Sequence, residues 1–283
     1  MSAPAPGPVR LGVTWWGHAS TTVELGGVRV AIDPLLAGRL VHLRRRTPLP
    51  PADAALADVV LVSHLHLDHC HLPSLRRFAA DVPVVVPRGG ERLLADLGDR
   101  LLGVAPGETH RVGGVDVEVL AATHDGRRHP WARERPPALG FRVTGPATGA
   151  TTGATTGATT GATSGATAPA PASFWFPGDT GLREDMREVA PVDLALAPVG
   201  GWGPSLGEEH MDPDEAAEAV RRVGARWAVP VHWGTFWPVG LERVDRATHH
   251  HLFVTPGQRF ADALARAGSA RPVLASPAER IVL

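Results

Sequence analysis

The sequence predicts an α/β (α+β) chain folded as a four-layer αββα sandwich, with two sheets face to face and helices outside. Three observations lead there. Short β-branched, apolar runs come in two batches, each followed by helical patterns, which suits two packed sheets better than one doubly wound sheet. Every cluster of candidate metal ligands falls just after such a run, where loops would gather at one edge of a sandwich. The ligands are drawn from nearly the whole chain, so residues 1–283 read as a single domain.

In order, Val9–Trp16 is a strand, and Ser20–Leu25 and Val28–Asp33 form a hairpin around Gly26-Gly27. Asp58–Ser63 is a continuous apolar run, as a strand covered on both faces would be. Helix Pro73–Ala80, strand Pro83–Pro87, helix Gly90–Leu97 and strand Leu101–Val104 follow. Val115–Ala121, Ala138–Thr144 and Phe174–Pro177 are further strands, and Leu182–Val189 reads as helix. Strand Asp193–Pro198, helix Pro213–Val223 with Asp212 as N-cap, and strand Arg226–Val231 come next. Pro256–Ala267 is the last amphipathic helix, before short terminal strands.

One segment, 146–171, is a low-complexity surface insert. Within it Thr148–Thr167 is five four-residue units, four of Thr-Gly-Ala-Thr and one of Ser-Gly-Ala-Thr, with no apolar surface to bury. Lengthening a loop from about 4 to about 26 residues costs only about 1.7 kcal/mol in closure entropy, so a surface turn can carry it.

Composition excludes several function classes. Net charge is −1, which provides no global field to draw nucleic acid. All 28 basic residues are Arg, and Lys, Asn and Tyr are absent, a bias that fits a GC-rich genome. A Schiff-base Lys and a Tyr general acid are therefore impossible. The lone Cys70 rules out an intramolecular disulfide and a Cys-rich zinc site. The first residues lack the pattern of a signal peptide, and no apolar stretch is long enough to span a bilayer, so a cytoplasmic protein is expected. Oligomeric state is left open. Arg44-Arg45-Arg46 and His249-His250-His251 are expected in solvated loops, and Cys70 as a small buried residue.

The chemistry centres on His64-Leu65-His66-Leu67-Asp68-His69. In an extended chain His64 and His66 project to the same side and can reach one ion together. The backbone must then turn to bring Asp68 and His69 to a second position. Three imidazoles and a carboxylate within six residues suit zinc, with manganese or iron as alternatives.

His-x-His-x-Asp-His after a strand resembles the hallmark of the metallo-β-lactamase superfamily, and later segments match in order. They are Ala-Ala-Thr-His124, Phe-Pro-Gly-Asp179-Thr-Gly and Pro-Val-His232-Trp-Gly-Thr-Phe. The resemblance implies that fold type, with one divalent ion on His64, His66 and His124, another on Asp68, His69 and His232, and Asp179 bridging. Trp16-Gly-His-Ala-Ser20, Gly178-Asp-Thr-Gly181 and His210-Met-Asp-Pro-Asp-Glu-Ala216 resemble the branch of N-acylphosphatidylethanolamine-hydrolysing phospholipase D, to which ascorbate-6-phosphate lactonases are close. Asp179, where true β-lactamases commonly have Cys, argues against β-lactam hydrolysis.

Such a site implies hydrolysis by hydroxide formed from a water shared between two ions about 3.5–4 Å apart. Asp68 orients that nucleophile or takes its proton, and His210 is a candidate for substrate contact or proton transfer. His18 is expected to orient a ligand or pack. Trp131, Trp202, Trp233 and Trp237 are candidates for an apolar rim. The leading expectation is a hydrolase of phosphodiester or related ester substrates, small-molecule or lipid-like and perhaps carrying an acyl group. The alternatives are a lactonase acting on a sugar-derived lactone, or a metal-binding protein without catalysis.

Overall fold

Alternation of side chains along each strand sets the layers. The computed structural model describes residues 11–146, 170–201 and 207–283. Val30, Ile32, Val59 and Leu61 face a core shared by both sheets, whereas Ala31, Val60 and Val62 face outward beneath Leu75, Phe78 and Leu94. In the second sheet Phe174, Phe176, Leu194, Leu196 and Val229 enter the shared core. Trp175, Ala195, Ala197 and Ala228 face the helices Pro213–Val223 and Pro256–Ala267. Small residues meet small residues there: Ala216, Ala217 and Ala219 pack in the same layer as those alanines, which lets helix and sheet approach closely. The result is the expected αββα sandwich.

Edge to edge, the first sheet runs Arg280–Val282, Leu11–Gly17, Ser20–Leu25, Val28–Ile32, Val59–Leu61, Val84–Pro87 and Leu101–Val104. The second runs Arg271–Pro272, Trp227–Val231, Leu194–Pro198, Ser173–Phe176, Leu139–Thr144, Val115–Ala121 and Thr109–Val112. Asp212 caps Pro213–Val223 as expected. Its carboxylate accepts from the Asp214 and Glu215 amides, the Glu215 side chain returns to the Asp212 amide, and left-handed Gly224 closes the helix.

Three expected helices are shorter or tighter than their patterns predict. Pro73–Ala80 reduces to the single turn Leu72–Leu75. Gly90–Leu97 becomes 3₁₀ turns over Glu91–Arg100, interrupted at Leu94 and Gly98. Leu182–Val189 is one 3₁₀ turn, Glu184–Glu188. These turns need only cover a sheet face, and tertiary packing outweighs propensity in segments this short.

A small third sheet of Arg39–Leu40, Leu43–Arg45 and Phe236–Pro238 was not foreseen, and it overturns the loop expected at Arg44-Arg45-Arg46. Arg45 donates to the carbonyls of Trp16, Leu35 and Ala37, so it serves backbone groups that would otherwise lack partners. Arg46 lies over the Trp237 ring, 5.3 Å from its centroid. The His249–His251 run is helical rather than loop, and His249 packs on Trp237 at 4.8 Å. Cys70 is buried, as expected. No helix among the described residues is long and apolar enough to cross a membrane. The repeat Thr148–Thr167 and Trp202 lie outside the described residues.

Candidate metal centre

Strand direction assembles the site. His18, Asp33 and His64–His69 follow the carboxyl ends of Leu11–Gly17, Val28–Ile32 and Val59–Leu61 in the first sheet. His124, Asp179 and His232 follow those of Val115–Ala121, Ser173–Phe176 and Trp227–Val231 in the second. Pairing within each sheet makes its three strands point the same way, so all these residues emerge at sheet ends.

The seven residues expected as ligands come together. His66 Nδ1 lies 3.0 Å from His64 Nε2 and 3.1 Å from His124 Nε2. Nitrogens sharing one tetrahedral zinc at ordinary bond lengths stand about 3.3 Å apart, so this trio is nearly at ligand spacing. A second group contains His18, Asp68, His69 and His232, with His69 Nε2 3.1 Å from His232 Nε2. Asp179 also groups with His64 and His69, and with His124 and His210. Asp179 thus shares ligand-spaced groups with residues of both sets.

The surroundings favour cations. Asp179 Oδ1 is buried without a hydrogen-bond partner, an arrangement that is costly unless a ligand is bound there. Burial pushes His64 well below the usual imidazole range, keeping it neutral and able to coordinate. Burial also works against charge on His69, yet the Asp179, Asp68 and Asp33 carboxylates outweigh it and raise His69 well above that range. His232 rises to about 9 against the same burial, chiefly because of Asp179. The protein's own carboxylates thus favour positive charge at this point, which a bound metal ion would supply.

Neighbours set the ring orientations. Ser63 Oγ donates to Asp33 Oδ2, which leaves its lone pair to accept from His64 Nδ1–H at 3.0 Å and turns the free Nε2 inward. His69 Nδ1 meets Asp33 Oδ2 at 2.7 Å, and His232 Nδ1–H donates to the Gly200 carbonyl at 2.9 Å. Asp33 was not identified from the sequence beyond ending a strand. Its one available signal is an acid at the end of a buried strand, immediately before Pro34. Among the described residues five non-glycines have positive φ, and His18, Asp33 and His232 are three of them. Each such conformation costs of order 1–3 kcal/mol, so the strain is concentrated at the site.

His18 hydrogen-bonds through Nε2 to Asp68 Oδ2 at 2.8 Å, an orienting contact of the kind expected. His210 Nε2 lies 3.3 Å from Asp179 Oδ2, beside the predicted ligands. The tryptophans divide. Trp233 stacks on Trp15 at 5.6 Å and Trp237 packs on Phe253, whereas Trp131 is 85% exposed.

Gly178, with φ +66°, holds Asp179 in place, and a Cβ there would lie 2.3 Å from the Leu139 carbonyl oxygen. Gly178→Ala is expected to destabilise the protein by about 2–4 kcal/mol, combining backbone strain and overpacking. It should also lower metal content; a denaturation midpoint and metal occupancy matching wild type would refute this role for Gly178.

Residues 28–233 match the family model described as the beta-lactamase superfamily domain. A metal-dependent hydrolase of Nitratidesulfovibrio vulgaris is 31% identical over 233 residues, covering 79% of this chain and 80% of that protein. The N-acyl-phosphatidylethanolamine-hydrolyzing phospholipase D 1 of Caenorhabditis elegans is 28% identical over 254 residues, covering 80% of this chain and 64% of that protein. Among solved structures, Igni18, a metallo hydrolase of Ignicoccus hospitalis, superposes with a TM-score of 0.66 at 21% identity, covering 96% of this chain and 98% of that one. The chain therefore belongs to the beta-lactamase superfamily, as a metal-dependent hydrolase of the metallo-β-lactamase fold.

Proposed function

We propose that the protein is a dinuclear hydrolase of phosphodiester or related ester substrates that carry an apolar, acyl-like group. One observation carries the substrate reading. A cleft of about 720 Å³ reaches His66 and Asp68 and is walled mainly by apolar side chains, among them Leu40, Leu43, Leu67, Leu241 and Phe253. Its guanidinium, Arg128, is already engaged with the carbonyls of Leu65 and Cys70. A polar sugar lactone would find few partners there, whereas an acyl chain would bury apolar surface.

His64, His66 and His124 would hold one ion, Asp68, His69 and His232 the other, with Asp179 between them; zinc fits the donor set, and manganese or iron are alternatives. Two such ions would acidify a water and draw charge from a phosphoryl or acyl oxygen. Asp68, held by His18, would orient that water and accept its proton. His210, beside Asp179, would donate a proton to the departing alkoxide. The cleft binds the apolar portion and keeps bulk water from the reacting bond. A reducing, cytoplasmic setting belongs to the same reading, since it makes no use of disulfides.

Lengthening the apolar tail of a phosphodiester substrate should raise kcat/KM by more than about tenfold, since two buried methylenes are worth about 1.6 kcal/mol. Indifference to tail length would remove the cleft from the argument. Turnover of a lactone with phosphodiesters inert would favour lactonase chemistry instead, and a β-lactam should be hydrolysed orders of magnitude more slowly than either. His210→Ala should slow substrates with alkoxide leaving groups by about 10²–10⁴ and nitrophenolate esters far less. Equal slowing of both would leave His210 a positioning role only.

A further inference from the structure

We infer that the mouth of the apolar cleft is a docking face for an anionic phospholipid bilayer. Among the described residues ten large hydrophobic side chains are exposed, and six of them belong to the segments that form this opening. Val41 and Leu67 line the cleft itself. Trp131, Val239 and Val254 each follow directly after a lining residue, namely Pro130, Pro238 and Phe253. Val244 ends the single helical turn that begins with the lining residue Leu241. Scattered exposed apolar residues need no explanation, but a rim of them around one opening marks an interaction surface.

Charge identifies the partner. The rim segments 39–46, 127–135 and 238–246 hold ten arginines and three acidic residues, in a chain whose net charge is −1. Arg39, Arg44, Arg133, Arg135, Arg243 and Arg246 are exposed. None of the six takes part in an ion pair among the described residues, although most other arginines of the chain are paired or bound to carbonyls. Exposed Trp and Val beside unpaired guanidinium groups suit the interface of a bilayer, where rings and aliphatic chains enter the acyl boundary and cations meet phosphates. A second copy of the chain fits poorly, because a two-fold contact would set this basic rim against itself. Docking in this way would place the cleft, and the metal centre behind it, directly over lipid. The purpose of docking rests on the apolar-substrate reading above; the surface itself does not.

The test uses the metal-loaded protein with vesicles of equimolar phosphatidylcholine and phosphatidylglycerol. It should float with these vesicles and bind phosphatidylcholine alone at least about tenfold more weakly, with 1 M salt weakening the contact as the screening length falls to about 3 Å. The triple variant Trp131→Ser, Val239→Ser, Val244→Ser should lose about tenfold or more of the partitioning. Its metal content, thermal midpoint and turnover of a soluble nitrophenyl phosphodiester should stay unchanged, since none of the three residues lines the cleft. Failure of the wild type to bind, or equal binding by the triple variant, would overturn the inference. So would a dimer in solution that the triple substitution dissociates, because a second copy would then be the occupant. Vesicle binding by a protein that hydrolyses no phosphodiester or other ester would overturn the proposed function and leave docking intact.

Discussion

Asp68→Asn is expected to lower kcat/KM by more than about a hundredfold, or about 2.7 kcal/mol in barrier, with little change in the fold. The carboxylate is buried, receives a hydrogen bond from His18 Nε2, and lies 3.5 Å from His69 Nε2 and 3.8 Å from His232 Nε2. Burial opposes its ionisation, but His69, the hydrogen bond from His18 and the nearby His232 ring hold its carboxyl well below the usual range. Asp68 is therefore a fixed negative charge, free to serve as ligand and proton acceptor. The amide is nearly isosteric and can still accept from His18, so packing should survive. What it lacks is the charge, both for an ion on His69 and His232 and for a proton leaving the nucleophile. The His64, His66 and His124 trio is untouched, so metal content should fall by no more than one ion per chain. A variant keeping over about a tenth of wild-type kcat/KM would show that Asp68 has neither role.

The sandwich and its ligands were legible because their signals are local or periodic. His64, His66, Asp68 and His69 lie within six residues, and a continuous apolar run such as Phe174-Trp175-Phe176 states a strand covered on both faces. The small third sheet was not legible. Its strands Arg39–Leu40 and Leu43–Arg45 are two and three residues long, too short for any period to appear, and their pairing partner is Phe236–Pro238, nearly two hundred positions away. Yet this sheet supplies Leu40 and Leu43 to the cleft wall, so the feature that bears on substrate was the one least visible. The short helices failed for a related reason: one turn of chain can cover a strand face without the length that helical periodicity requires. Asp33 is an isolated residue whose importance rests on contacts with Ser63 and His69, side chains distant in sequence.

Asp33→Ala should then be among the most damaging single changes, although Asp33 is no predicted ligand. Its carboxylate is fully buried and accepts three hydrogen bonds, from the Ser63 amide at 2.7 Å, Ser63 Oγ at 2.6 Å and His69 Nδ1 at 2.7 Å. Those contacts tie the strand end carrying His64 to the ring of His69, so one side chain orients a histidine in each predicted ion site. Alanine would leave the Ser63 amide and the His69 Nδ1–H without this acceptor in a buried setting, at about 1–3 kcal/mol for each abandoned donor. It would also leave an alanine, a residue that rarely visits the left-handed region, at φ +42°. A loss of about 3–5 kcal/mol in stability is expected, together with a 10–100-fold weakening of metal affinity, because the orientation of His69 would no longer be set. Asp33→Asn separates the two effects. Its Oδ1 can keep the Ser63 amide and Ser63 Oγ can reorient, so stability should largely return, while its amide NH₂ faces His69 Nδ1 as a donor against a donor and metal affinity should stay low. Denaturant unfolding and competitive metal titration of the two variants read these outcomes independently. If both variants bind metal like the wild type, His69 is oriented by something other than Asp33.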